Sequence, residues 1–176
     1  NDAIMAQPLN PHLYIQRGVV HQTIGEADRA IIDYSDAIRL APRDTLPLIN
    51  RGVVLYTRKD NNEGAIADFN AALKINSREI SAWTNRGIVY RKKGDVNQAI
   101  ADFTTAIKIL PDKIQPVSLT QVPDSITSQL AQSPQQEANR IALQAAFVYF
   151  QRGLAWYDKN DYDRAISDFS ESIRLN

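Results

Sequence analysis

The sequence predicts an all-α fold, a right-handed superhelical solenoid of about four helix–turn–helix repeats with a long insertion between the third and the fourth. Three observations predict this fold. The tripeptide [Gln/Asn]-Arg-Gly occurs four times, and each copy is followed by the motif Ala-Ile-x-Asp-[Phe/Tyr]. The glycines of the tripeptides are 34 and 35 residues apart, and then 66 apart, which is one period plus an insertion. Periods of this size are typical of solenoids.

The first half of each repeat predicts one helix. Apolar residues recur at i, i+4 and i+7, as on one helical face, and the tripeptide glycine lies on that face where two backbones must approach closely. Gly25, Gly94 and Asn160 follow at the positions where left-handed residues end a helix.

The second half of each repeat predicts a second helix with its own apolar stripe, seen most clearly from Ala30 to Ile38 and from Ala99 to Ile107. Pro42 and Pro111 end two of these helices. A lone helix pair cannot bury two apolar faces, but stacked pairs can, and stacking creates a concave surface.

The third repeat carries a motif of widely spaced residues, namely Trp83, Gly87, Tyr90, Ala99, Phe103 and Pro111. The chain thus resembles the tetratricopeptide repeat family, in the bacterial type that has Asn/Gln-Arg-Gly. One departure is systematic, because this chain has arginine where the family usually has leucine before the glycine. The resemblance divides the chain into a tail (1–10), three repeats (11–44, 45–79 and 80–113), an insertion that is irregular and then helical (114–145), and a fourth repeat truncated at its end (146–176).

The tripeptide arginines recur together with the aspartates of the second motif, at a nearly constant separation. A ladder of arginines for an anionic ligand is one interpretation. Co-recurrence favours the other, in which each guanidinium pairs with an aspartate across its hairpin. We expect these pairs to be exposed and worth only ~0–1 kcal/mol each. The predicted structural ion-pair ladder consists of Arg17–Asp33, Arg51–Asp68, Arg86–Asp102 and Arg152–Asp168.

The resemblance implies that first-helix residues line a concave groove, and here this lining is largely aliphatic and aromatic. Some members clamp a chaperone's carboxylate tail with lysine, arginine and asparagine. Here the first of these positions holds Ile15, Ile49, Thr84 and Phe150, and the last holds no asparagine, so we expect no such tail as a partner. An apolar or amphipathic segment of another protein or peptide is the predicted ligand. Amides beside the groove either bind the ligand backbone, or only face solvent or cap neighbouring carbonyls. The predicted groove residues are Ile15, Val19, Ile49, Asn50, Val53, Tyr56, Asn85, Ile88, Arg91, Phe150, Leu154 and Tyr157.

The insertion contains three prolines but keeps several aliphatic residues, which a purely disordered linker would lack. We expect an extended piece at 117–119, a short helix at 124–130, and a longer helix from Pro134 to near Asp158. The segment 116–131 either fills the groove as a lid, packs on an outer edge or a second copy, or stays a mobile loop.

The final repeat exposes Ile166, Phe169 and Ile173 without a following helix pair in this sequence. Either further repeats follow or a second copy covers this face, so self-assembly as a homo-oligomer, through this face or the insertion at 114–145, is the alternative function. The chain begins at Asn1, which indicates a removed leader or a shortened sequence. It is expected to be soluble, either cytoplasmic or exported.

Catalytic chemistry is not predicted. The formal net charge is zero and gives no attraction to nucleic acid, no apolar run suffices for membrane insertion, and no cysteine is present. His21 occupies a packed aromatic position of the repeat, and the acidic run at 158–163 lacks the glycine and glutamate of a calcium loop. We therefore expect a binding module without enzyme activity, metal or cofactor.

Overall fold

The computed structural model describes residues 9–117 and 134–176, and these form eight α-helices. The predicted all-α fold of helix–turn–helix repeats is confirmed. The chain divides into two compact units, Asn1–Lys93 and Gly94–Asn176. The first unit holds α1–α5 and the second holds α6–α8. In chain order the helices are α1 (Pro11–Thr23), α2 (Ala27–Leu40), α3 (Thr45–Arg58), α4 (Asn62–Ile75), α5 (Ile80–Lys92), α6 (Val96–Ile109), α7 (Pro134–Asp158) and α8 (Tyr162–Leu175).

Two helix hairpins, α1–α2 and α3–α4, form most of the first unit, and α5 packs against α4. Helix α3 also packs on α2, so each new repeat covers the second helix of the preceding one. The first helices α1, α3 and α5 are neighbours in turn. The buried residues that hold these layers together are alanines and larger aliphatic residues, with one aromatic ring a repeat, such as Tyr34 and Phe69.

The turns within the hairpins use left-handed backbone conformations, as expected at three positions. Gly25 and Gly94 have φ of 86° and 84°, and Asn160 has φ of 61°. The sequence did not single out the fourth, Asp60, with φ of 51°. Glycine suits this region because it has no Cβ to clash, and Asn and Asp tolerate it better than other residues.

The helices begin and end where local chemistry favours it. The side chains of Asn10, Asp44, Asn61 and Asp161 accept backbone N–H groups from the first turns of α1, α3, α4 and α8. Helices α2 and α6 end within two residues of the prolines that follow them.

In the second unit, the long helix expected from Pro134 to near Asp158 is present as α7, with 25 residues. It packs against both α6 and α8. The hydroxyl of Ser172 donates to the Ala146 carbonyl at 2.8 Å, and the Val117 amide donates to the Leu175 carbonyl at 3.3 Å. The short helix predicted at 124–130, and all of the lid segment 116–131 except its first two residues, lie outside the described residues.

Candidate functional site

In the hairpins α1–α2, α3–α4 and α7–α8, the packing places a glycine of the first helix directly under an aromatic ring of the second. A Cβ built on Gly52 would lie 2.7 Å from Cε1 of Phe69, closer than real Cβ atoms approach any neighbour. The same 2.7 Å approach occurs at Gly18 under Tyr34 and at Gly153 under Phe169. This contact sets the separation of the two helices and therefore the position of the arginine beside each glycine.

The arginine beside the glycine reaches across the hairpin to an aspartate. Arg51 Nε donates to Asp68 Oδ2 at 2.8 Å, and Arg51 Nη2 donates to Asp68 Oδ1 at 2.7 Å. This two-bond geometry matches the planar guanidinium to the carboxylate. The hydrogen bonds to Asp68 raise the pKa of Arg51, as those to Asp33 raise the pKa of Arg17. Arg17–Asp33 and Arg152–Asp168 have the same paired hydrogen bonds, at 2.6 to 2.9 Å.

The prediction that these pairs are exposed is wrong for their aspartates. The carboxylates of Asp33, Asp68 and Asp168 are buried. Only the arginines keep part of their surface in contact with solvent. Removing an arginine would leave a buried carboxylate, which costs more than losing a surface ion pair.

In the second, third and fourth repeats, the tripeptide arginine also contacts the preceding repeat, a feature that the sequence did not suggest. Arg51 Nη1 donates to Ser35 Oγ at 2.9 Å, and Arg152 Nη1 donates to Thr104 Oγ1 at 3.3 Å. Arg86 makes the equivalent contact with Asn70 Oδ1. The arginine therefore joins three helices, which explains its recurrence as a structural role.

The third predicted pair, Arg86–Asp102, spans the two units and stays a prediction. Within the first unit, the guanidinium of Arg86 lies over the rings of Trp83 and Tyr90, 4.6 Å and 5.8 Å from their centroids. Such cation–π contacts hold the arginine stem against the helix surface.

The predicted groove residues of the first unit differ in how much surface they offer. Ile15 and Ile49 are buried in the clusters that join neighbouring repeats, and Thr84 is buried as well. Val19 and Leu46 are exposed on the same helices. Any ligand of this unit would contact the exposed pair directly, while the buried three support the surface from beneath.

Val53, Tyr56, Ile88 and Arg91 are half-buried. Val53 and Tyr56 pack against the buried cluster of α3, α4 and α5. Burial raises the pKa of the Tyr56 phenol, so its ring is partly withdrawn from water. Substitutions at Val53 would therefore disturb packing as well as any binding surface.

The amides beside this surface are partly engaged. The side chain of Asn85 donates to the Ser81 carbonyl of its own helix at 2.9 Å, which supports the interpretation that it only satisfies a neighbouring carbonyl. Asn50 is half-buried, and Gln16 is exposed. A ligand backbone could reach Gln16 more readily than the other two.

The second unit carries an apolar row on α7, which we name the α7 stripe and which comprises Leu143, Phe147, Phe150, Leu154 and Tyr157. Phe147 and Phe150 are 48% and 43% exposed, unusually open for phenylalanine. The ring of Phe150 lies 5.8 Å from that of Phe169 on α8, and Tyr157 lies 5.6 Å from Tyr162. These ring contacts join both ends of the stripe's aromatic part to α8.

A shallow cavity of about 320 Å³ opens beside the α7 stripe, between α7 and the end of α8. Its walls include Leu143, Phe147 and Phe150. Sequence reasoning counted the groove positions only within the repeat and so missed Leu143, which lies in the helical extension. The spacing of 143, 147, 150, 154 and 157 continues one helical face, and this periodicity could have found it.

Clusters of metal-binding side chains are not a feature of the described residues. Over 9–117 and 134–176, His, Cys, Asp and Glu form no group of three or more able to hold a metal ion. The ring of His21 is half-buried, with its Nδ1 2.6 Å from Glu26 Oε2. This contact contributes to holding the pKa of Glu26 below its usual range. None of the described helices combines the length and apolar character needed to cross a membrane.

Comparison with known proteins shows repeated matches to one family. Models of the tetratricopeptide repeat match residues 11–44, 80–113 and 146–176. The human protein "Tetratricopeptide repeat protein 16" is 28% identical over 122 residues. That match covers 63% of this chain but only 14% of the human protein, so the chain spans a small part of its length.

Solved structures share the fold at low sequence identity. The crystal structure of MamA has a TM-score of 0.69 and 19% identity, covering 98% of this chain and 81% of MamA. The first such domain of Spaghetti (RPAP3), solved with the HSP90 peptide SRMEEVD, has a TM-score of 0.55 and 21% identity, covering 58% of this chain and 81% of that one. At these identities the likeness concerns the fold.

Proposed function

This chain belongs to the tetratricopeptide repeat family, and we propose that it is a protein-interaction module that binds an apolar or amphipathic segment of another protein. The α7 stripe is the observation that carries this proposal. Five apolar or aromatic side chains follow one face of a long helix, and its two phenylalanines are nearly half exposed to solvent. Contiguous apolar surface of this kind usually marks a contact site.

The chemistry of the stripe favours an amphipathic helix as the ligand. An apolar row along one helix is complementary to residues spaced at i, i+3, i+4 and i+7 on another. The cavity beside Phe147 and Phe150 could accept one large side chain of that ligand. Binding would follow from shape and apolar contact in a preformed surface, and the proposed role is a scaffold or adaptor without catalysis.

A peptide-bound relative supports this class of function, while the residues argue for a different peptide. RPAP3 was solved with a peptide of HSP90. In this chain the equivalent clamp positions hold Ile15, Ile49, Thr84 and Phe150. These side chains offer no cationic group to a carboxylate, so an apolar segment is the better match.

A selection from random peptides tests the proposed ligand class. A displayed library of peptides about four helical turns long is captured on the immobilised chain and on the variant Phe147→Asp/Phe150→Asp. Captured peptides with apolar residues at helical spacing, lost on the double variant, would support the proposal. Enrichment of acidic peptides, or equal capture by both proteins, would contradict it.

Self-assembly is a second proposed function, favoured by a different observation. On α8, Ile166 and Ile173 are 63% and 78% exposed. The residues at the same repeat positions on α4, Ile66 and Leu73, are half-buried and buried beneath the next helix. The face of α8 therefore has the composition of a covered surface without a cover among the described residues.

A further inference from the structure

Within each unit, the junctions between successive repeats bury apolar residues at the same repeat positions. The residue two places after the tripeptide glycine packs on the second helix of the preceding repeat. Val54 is fully buried in a cluster with Tyr34 and Ala37, and Val89 is fully buried with Phe69. The residue five places before the glycine is buried too, as Pro47, Ala82 and Val148 show.

Polar contacts complete each junction. The arginine of the covering helix donates to a side chain two residues after the aspartate of the preceding repeat, as Arg51 does to Ser35 at 2.9 Å. The residue before the left-handed turn position makes a second contact, in which Lys59 lies 2.6 Å from Asp28 and Lys93 lies 2.8 Å from Glu63. In the second unit, Lys159 donates to Asn97 at 2.9 Å in the same register.

Helix α8 presents the receiving half of such a junction. Ile166 and Ile173 occupy the apolar positions, Ser170 occupies the position of Ser35, and Asp163 occupies the position of Asp28. All four are exposed. The internal equivalents of the two isoleucines and of Ser170 on α2 and α4 are half-buried or buried, whereas those of Asp163, Asp28 and Glu63, are exposed ion-pair partners.

Helix α1 presents the covering half. Val20 is 57% exposed, whereas its equivalents Val54 and Val89 are both 0% exposed. Leu13 occupies the place of buried Pro47, and Arg17 occupies that of Arg51. Like α3 and α5, α1 contains no Asp or Glu, so these three helices bring no like charge to the carboxylates of a helix beneath them.

We propose that the exposed face of α8 binds α1 of a second copy of this chain, in the register of the internal junctions. This inference rests on the second proposed function and names its two surfaces. The contact is heterologous, because two different faces meet, so each added copy leaves one free face at either end and open-ended chains can grow. In this contact Arg17 of one copy reaches Ser170 of its neighbour, as Arg51 reaches Ser35.

One element of the internal junctions is missing from α1. Ile24 stands where Lys59, Lys93 and Lys159 make their contact, although Asp163 keeps the receiving position on α8. The proposed contact is therefore weaker than an internal junction by one polar pair.

A complementation experiment tests the pairing of the two faces. Val20→Asp blocks the α1 face and Ile173→Asp blocks the α8 face, and both positions are exposed, so the fold should persist. Sedimentation velocity over a wide concentration range should show assembly of the unmodified chain and an about tenfold or greater loss of affinity in each variant, because a charge enters an apolar contact. Far-UV circular dichroism verifies that each variant is folded.

The equimolar mixture of the two variants gives the decisive result. One partner keeps an intact α8 face and the other an intact α1 face, so the mixture should form dimers that cannot extend. Assembly that persists in either variant alone, a mixture that stays monomeric, or an unmodified chain that stays monomeric would overturn the proposal.

A gain of affinity provides an independent test. Ile24→Lys restores the missing polar pair with Asp163 and should strengthen assembly about two- to fivefold, as expected for an exposed ion pair. The increase should disappear in Ile24→Lys/Asp163→Asn. An unchanged affinity, or one that rises equally in both variants, would contradict the proposed register.

The experiments test the two proposed functions independently of each other. Self-association that survives Val20→Asp and Ile173→Asp would place the interface elsewhere and leave self-assembly standing. Peptide capture should be unaffected by either variant, because neither residue belongs to the α7 stripe.

Discussion

The ring of Phe69 lies so close to Gly52 that a Cβ on this glycine would stand 2.7 Å from the ring. The ring is fully buried and surrounded by the core of the first unit. It cannot move aside without displacing neighbouring side chains. The recurrent glycine is therefore required for the spacing of the hairpin helices.

The first prediction concerns this contact. Gly52→Ala should destabilise the chain by about 1–3 kcal/mol through overpacking, although alanine is favoured over glycine in a helix by up to about 1 kcal/mol. Urea denaturation measures the difference. Phe69→Leu removes the ring that a Cβ at position 52 would meet, so Gly52→Ala should lower the free energy of unfolding much less in that background. A stabilising effect of Gly52→Ala alone would contradict the steric argument.

The second prediction concerns the arginine. Arg51→Leu introduces the residue usual in the family and should keep the fold, but it leaves the buried Asp68 carboxylate without its two hydrogen bonds. We expect a loss of about 1–3 kcal/mol, measured by urea denaturation. The loss should shrink in an Asp68→Asn background, since a neutral amide is cheaper to bury. A loss of unfolding free energy near zero would show that the pair contributes no more than a surface ion pair.

The third prediction concerns alkaline stability. Burial raises the pKa of Tyr34 from 10.0 to about 12. The unfolded chain therefore loses this proton first, and the stability due to the neutral phenol is present below pH 10 and lost as the pH rises towards 12. Absorbance titration of the phenolate and thermal unfolding at rising pH measure the effect.

Tyr34→Phe provides the control, because the other repeats have phenylalanine at this position. The variant should lose about 0.5–1.5 kcal/mol near neutral pH, since the Tyr34 hydroxyl donates to Gln22 Oε1 at 2.8 Å. It should also lose stability less steeply than the unmodified chain between pH 10 and 12. Identical profiles for the two proteins would show that Tyr34 is not the titrating group.

The repeat architecture could be predicted from the sequence because it depends on local patterns that recur. Helical periodicity, the turn glycines and the proline after Ser133 indicated the hairpins and the long α7. The co-recurrence of Arg51 and Asp68 indicated a pair before any distance was known. These features belong to single helices or to one hairpin, where sequence spacing translates directly into geometry.

Exposure could not be predicted in the same way, because it depends on the neighbouring repeat. Ile15 and Val19 lie one turn apart on α1, yet Ile15 is buried in a cluster with Val54 of α3, whereas Val19 is exposed. The contact of Arg51 with Ser35 also joins two repeats. Such contacts require the stacking of helix pairs, which no single repeat encodes.

The fourth prediction follows from this difference in exposure. In the first unit, any binding of a ligand should depend on Val19 and Leu46. Both side chains are exposed, so Val19→Asp and Leu46→Asp should leave the core intact. Val53→Asp should reduce thermal stability, because Val53 packs against the buried cluster. Thermal unfolding of the three variants separates these effects. Equal loss of stability in all three would show that the exposed residues also support the fold.

The most direct measurement is the affinity of the α7 stripe for a peptide selected on this chain, determined by fluorescence anisotropy with the labelled peptide. We expect a micromolar dissociation constant, about −8 kcal/mol, and a weakening of more than about tenfold for Phe147→Asp and Phe150→Asp. Lys108→Asp on α6 serves as an exposed control and should bind as the unmodified chain does. An affinity that is the same for all four proteins would contradict the proposal that the stripe is the binding surface.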